Sequence, residues 1–306
     1  MERREFLKQL AAFSAVAGAG RWMVMPQELW AMSPKEKPQP VLAKAQGTNY
    51  AQITGEAIQA LGGMKKFVHP GEMVVVKPNM AWDRAPELAA NAHPDVVRQV
   101  VALCLEAGAK KVKVLDHTCH DARKAYKNSG IQDAVLSLKD PRAVVEFVDP
   151  RGFVEMKVEG AKALKKWYFY KEILEADRFI NIPIAKQHSE SRLTMCLKNM
   201  MGAIGGWRGR IHVGLHQNIA DMNLILRPDL HVLDATRILV ANGPSGGRQE
   251  DVRVKNLVFA GPDPVALDAY GTTLFELKPG DIGYITKAHA LGRGEMDLQK
   301  IKVLGG

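Results

Sequence analysis

The feature that most constrains this chain is a repeated alternation of short apolar runs with longer helical patterns. Apolar runs lie near Met73 to Lys77, Lys111 to Asp116, Val144 to Asp149, Phe179 to Ile184, His231 to Asp234 and Val258 to Gly261. Between most of them a segment carries the 3.6-residue period, near 51 to 61, 94 to 107, 121 to 138, 189 to 204, 214 to 226, 264 to 276 and 281 to 291. Runs too short for a buried helix, rich in Val and Ile and punctuated by Gly and Pro, read as strands. Strand and helix in alternation predict an α/β fold, a mainly parallel sheet flanked by helices in Rossmann-like layering, and leave open a division into two lobes. In such a sheet ligands bind in a crevice at the carboxyl ends of the strands. The first two runs end in Lys77-Pro78-Asn79 and Asp116-His117, so chemistry is expected there.

Ahead of the alternation stands Met1-Glu2-Arg3-Arg4-Glu5-Phe6-Leu7-Lys8, followed by an apolar run from Leu10 to Gly20. The run is too short to cross a hydrocarbon core of ~30 Å as a helix. Paired arginines in this setting resemble the twin-arginine (Tat) export consensus, so residues 1–32 are expected to be a signal, passed by the Tat translocase to the periplasm. No lasting membrane span is expected unless that signal stays uncleaved. The Pro- and Lys-rich stretch that follows reads as a tether over 33–44, and the folded body is expected over 45–306. The formal charge of +9 (42 basic less 33 acidic) is diffuse, with no basic run interleaved with aromatics. It argues against nucleic acid and suits a small anionic ligand. Three scattered cysteines, Cys104, Cys119 and Cys196, supply no ferredoxin-type motif. Cys104 shares a helical repeat with Val97, Val100 and Val101 and reads as core.

Three groups could carry chemistry. The cationic group comprises Lys77, Lys186 and Lys198, with Asn79, Asn199 and Arg208 and the glycines Gly205 and Gly206 that would let backbone N–H groups approach an anion. Lys198 stands in a mostly apolar helical segment, where a lysine must be paired, functional or snorkelling. The histidine group includes His188, which follows a strand and could titrate as general acid or base. It also includes two metal candidates, His212 with His216 at a spacing of four, and His117 with Cys119. For His212 a helix starting near Gly214 would leave it outside. The acidic group is Asp116 and Asp234 at strand ends, with Asp263 read as a turn and cap before Pro264; Asp268 inside the following helix has two readings, crevice or solvent. No GxSxG, GxxxxGK or GxGxxG fingerprint occurs.

Several segments, in order, carry a family pattern: Val75-Val76-Lys77-Pro78-Asn79, His93-Pro94-Asp95, Ile180-Asn181-Ile182-Pro183, Leu197-Lys198-Asn199-Met200-Met201-Gly202, Arg227-Pro228-Asp229 and Gly261-Pro262-Asp263-Pro264. Over about residues 45 to 290 the chain resembles the domain of unknown function 362 family. The resemblance implies a redox association, since many relatives carry appended ferredoxin-like modules with two iron-sulfur clusters, which this sequence lacks. Three functions follow as expectations. One is a redox-associated protein linked to a metal or iron-sulfur cofactor, alone or through a redox partner. Another is a cofactor-free enzyme on a small anionic substrate, with His188, Lys198 and Asp116 as catalytic groups. The third is a non-catalytic anion binder.

Overall fold

The expected alternation is realised as a mixed, mostly parallel sheet in a computed structural model that describes residues 39–305. The expected signal, with its Arg3-Arg4 pair, lies outside the described residues. Among the described residues twelve strands follow in chain order. They are β1 (Val41–Gln46), β2 (Met73–Pro78), β3 (Lys111–Val114), β4 (Ala143–Val145), β5 (Phe153–Lys157) and β6 (Lys166–Tyr170). Then come β7 (Arg178–Ile182), β8 (Ile184–His188), β9 (Arg192–Thr194), β10 (Leu230–Leu239), β11 (Val252–Gly261) and β12 (Lys302–Leu304). The main sheet runs β12-β1-β11-β10-β7-β2-β3-β4, with β8 on β10 and β9 on β8, while β5 and β6 form a separate hairpin. The run β10-β7-β2-β3-β4 is parallel throughout.

Helices cover the sheet because their apolar faces match it. In Pro94–Glu106 the first-turn proline fits a position whose N–H would have no partner, and His93 accepts a hydrogen bond from the Asp95 N–H. Val96, Val97, Val100, Val101, Cys104 and Leu105 are buried on one side of it, so Cys104 is a packing residue as its periodicity suggested. Two apolar clusters, one on each side of β2, share the strands Val74 to Val76: Val75 packs with Phe179 and Leu115, Val74 and Val76 with Val97 and Ile180.

Five points differ from the sequence reading. The sheet takes up the chain at Val41, inside the stretch expected to be tether, because Leu42, Ala43 and Ala45 are buried once β11 and β12 flank them. The helix expected over 121–138 is broken at Gly130, whose φ of 74° ends one helix and starts the next, Ala122–Asn128 and Ile131–Leu136. The helix expected over 189–204 is mostly absent. Its place is taken by β9, a one-turn helix Cys196–Asn199 and a 3-10 turn Met200–Ala203. The hairpin of β5 and β6 was not foreseen; its half-exposed strands lack a clean apolar alternation. Residues Pro40–Gly306 form one unit, so the crevice lies within it, not between two lobes.

Candidate functional site

The carboxyl ends of β2, β3 and β8, together with the one-turn helix Cys196–Asn199, surround a cavity of about 410 Å³. Into its wall the structure brings Lys77, Asn79, Asp116, His117, Cys119, Lys186, His188, Lys198, Asn199, Arg208 and His212. The convergence follows from topology. Parallel strands all end on one side of the sheet, so residues distant in sequence meet where their strands stop.

Three ammonium groups are placed differently. Lys77 is fully buried, with Nζ 2.8 Å from Oδ1 of Asp116, whose other oxygen accepts the Met80 N–H at 3.0 Å. Burial pulls the Lys77 pKa below its usual value and the Asp116 carboxylate opposes that pull. Lys186 donates to the carbonyls of Ala90 (2.6 Å) and Pro244 (2.9 Å) and stands 5.5 Å over the Trp82 ring. Burial, and then the neighbouring charge of Lys198, lower its pKa to about 7. Lys198 is 7% exposed, has the Met201 thioether at 3.6 Å as its hydrogen-bond contact, and is brought to about 8 by burial. Two of these amines therefore change protonation near neutrality.

Supporting residues explain the Leu-Lys-Asn-Met-Met-Gly segment. Gly202 has no side chain because a Cβ there would stand 1.9 Å from Asp116 Oδ1 and 2.7 Å from Lys77 Nζ. Asn199 donates to Oδ1 of Asn181 (2.8 Å), and Asn181 in turn donates to the Cys196 carbonyl (3.1 Å). Asp268 accepts the backbone N–H groups of Cys196 (2.7 Å) and Leu197 (3.0 Å), so it caps the one-turn helix and fixes where Lys198 emerges. Sequence reading placed Asp268 in crevice or solvent; it is fully buried behind the site. It stands 72 and 71 residues from the two N–H groups it caps, so no local signal marked it.

Other expectations are corrected. His188 does not titrate near neutrality. Burial, with the charges of Lys198, Lys186 and His212, pushes it down to about 3. Its Nδ1 accepts the Glu190 N–H at 3.1 Å, so the neutral ring carries its hydrogen on Nε2 and serves as a donor. Arg208 lines the cavity, yet its guanidinium donates to the carbonyls of His117 (2.7 Å) and Thr118 (2.6 Å), which makes it a brace for the loop that follows β3. Gly205 and Gly206 face the β5–β6 hairpin and form no anion cradle: a Cβ on Gly205 would enter the Phe153 ring at 2.5 Å, and one on Gly206 would meet Tyr168 at 3.0 Å. Asp234 accepts the N–H of His93 (2.6 Å) and of Thr236 (2.9 Å), a structural role, while Asp263 caps Pro264–Gly271 as its position suggested.

The metal candidates do not assemble. Gly214 at φ 81° separates His212 from the helix Leu215–Met222, so the two histidines do not share a helical face. His212 instead pairs with Glu190 at 2.6 Å, and His216 stacks on Tyr284. His117 is committed through Nδ1 to the Ile204 carbonyl at 2.8 Å. Among the described residues no three His, Cys, Asp or Glu side chains stand together as a metal would need. Cys104 and Cys196 are buried thiols, Cys119 is exposed, and no disulfide joins them.

A sequence profile described as Domain of unknown function (DUF362) matches residues 74–273. A thylakoid-associated protein of Synechocystis sp. is 30% identical over 243 residues, 77% of this chain and 73% of that protein. Among solved structures, the lactate racemase apoprotein of Thermoanaerobacterium thermosaccharolyticum aligns at 12% identity and a TM-score of 0.43, over 77% of this chain and 57% of that one. A protein of Thermotoga maritima aligns at 11% identity and a TM-score of 0.40, over 81% of this chain and 60% of that one. The chain thus spans less than two thirds of either solved chain.

Proposed function

This chain belongs to the family described as Domain of unknown function (DUF362), and from that premise we propose that it is an exported protein that binds a small anionic molecule among Lys77, Lys186 and Lys198 and transfers protons on it. One observation carries the reading. Three buried amino groups line a cavity in which Lys77 alone is ion-paired with a carboxylate, that of Asp116. An unpaired buried charge is expensive, so an anion entering from solvent completes a balance the protein leaves open. The volume suits a small carboxylate or phosphate compound. Lys186 and Lys198, near 7 and 8, can each take up or release a proton near neutral pH, and the His188 Nε2–H is a neutral donor.

Export rests on the Arg3-Arg4-Glu5-Phe6-Leu7-Lys8 segment and the short apolar run behind it. Among the described residues no helix is long and apolar enough to cross a membrane. A redox role, which the resemblance implied, would draw its metal or cluster from a partner, since no set of donors among the described residues fits one.

Thermal melting of the full chain in the presence of phosphate, malonate or pyruvate tests the binding. An anion at a hundredfold its Kd stabilises by about 2.7 kcal/mol. We expect a shift above that of chloride at matched ionic strength, abolished in Lys186→Met and Lys198→Met. Equal shifts in wild type and both variants would sink the reading.

A further inference from the structure

The three lysines differ in what holds them, and that difference separates anchors from a reactive group. Lys77 is fixed by Asp116 and the Pro78 carbonyl, and Lys186 by two backbone carbonyls. Lys198 meets a thioether and no oxygen, although it is almost wholly buried and lines the cavity. Two further polar atoms in the same wall, Oδ1 of Asn79 and Oγ1 of Thr194, are buried without a hydrogen-bond partner. Unpartnered buried groups that converge on one cavity point to a ligand that pairs with them.

We propose that Lys198 is a nucleophile that forms an imine with a small carboxylate bearing a carbonyl group, a 2-oxo acid, held in this cavity. The inference rests on the anion-binding reading and adds the substrate's second functional group. Lys186 anchors the carboxylate, leaving the carbonyl carbon within reach of the untethered amine. An amine in desolvated surroundings beside another cation retains a neutral fraction with a free electron pair, the condition for attack. That pair forms the C–N bond while the carbonyl π pair moves to oxygen. The nitrogen then gives up two protons and the oxygen gains them, the C–O bond breaks, and water leaves. No oxidant or reductant is consumed. Asn79 and Thr194 supply hydrogen-bonding atoms for the polar intermediate.

The test uses the full chain with pyruvate and sodium borohydride, read by intact mass and peptide mapping, alongside pyruvate-dependent melting. The expected result is one reduced pyruvate adduct per chain, on Lys198. In Lys198→Arg, checked for folding by its melting curve without ligand, the adduct is lost. Lys198→Met, checked for folding by its melting curve, also loses the adduct. The inference is overturned by a melting shift without any adduct, by an adduct that persists in Lys198→Arg, or by labelling at Lys186 or spread over surface lysines. Absence of any melting shift with pyruvate, phosphate or malonate is a different failure, that of the anion-binding reading itself.

Discussion

Lys77 shows how far one side chain depends on what its neighbour lacks. Its ion pair with Asp116 fits only because position 202 is glycine. Gly202→Ala must displace the pair or the turn, and breaking a buried pair costs about 3–5 kcal/mol. We expect a loss of that size in denaturant unfolding together with loss of anion-dependent stabilisation; a variant within about 0.5 kcal/mol of wild type, the range of ordinary surface changes, would show that the pair is not needed. Protonation follows the same residues. Lys186 and Lys198 sit near 7 and 8 in the folded chain and close to 10.4 when unfolded. Between those values the unfolded chain binds more protons, so the ligand-free protein gains stability as pH rises from about 7 toward 10. A bound anion favours the ammonium forms, so anion affinity should fall over the same interval, by up to about tenfold per pH unit for each proton lost. Titration calorimetry from pH 6 to 9 reads this directly, and a flat profile would contradict it. That Lys77, Lys186 and Lys198 would come to one crevice was legible, because charged residues at strand ends or in apolar segments are conspicuous. The state of His188 was not, since its neutrality comes from burial and from charged neighbours that the fold brings together, chiefly Lys198 from the one-turn helix and Lys186 from its own strand.

Among the elements, the one-turn helix Cys196–Asn199 is too short to be stable by itself and depends on Asp268 for its first two N–H groups. Asp268→Ala orphans both, at about 1–3 kcal/mol each, and frees the position of Lys198. We expect Asp268→Ala to lower melting temperature and weaken anion binding together, with Asp268→Asn intermediate because it keeps one acceptor. Unchanged anion affinity in a destabilised Asp268→Ala would separate the cap from the site. The six strands expected from apolar runs all exist, and the helices over Tyr50–Ala60, Pro94–Glu106 and Gly283–Ala290 fall where their period put them. What escaped were elements without a clean period. β8 carries Lys186 and His188 toward the cavity and shows no apolar run, and β9, with Thr194, lies in the stretch expected to be helical over 189–204. The hairpin of β5 and β6, which receives Gly205 and Gly206, is half-exposed on both strands.

For the whole molecule, export is the prediction argued from Arg3 and Arg4. A reporter fused behind residues 1–45 should reach the periplasm in a host with the Tat translocase, and changing both arginines to Lys should hold it in the cytoplasm; equal export of both would refute the assignment. The sheet adds its own condition to that journey. β1, the first strand after the expected signal, pairs in parallel with β12 and antiparallel with β11. While a ribosome is still at work on the intervening chain, β1 has neither neighbour, and its buried Leu42 and Ala43 stay in water. The sheet is therefore closed only after nearly all of the described chain has been translated, and a machine that begins threading the N-terminus during synthesis would pull β1 away before its partners existed.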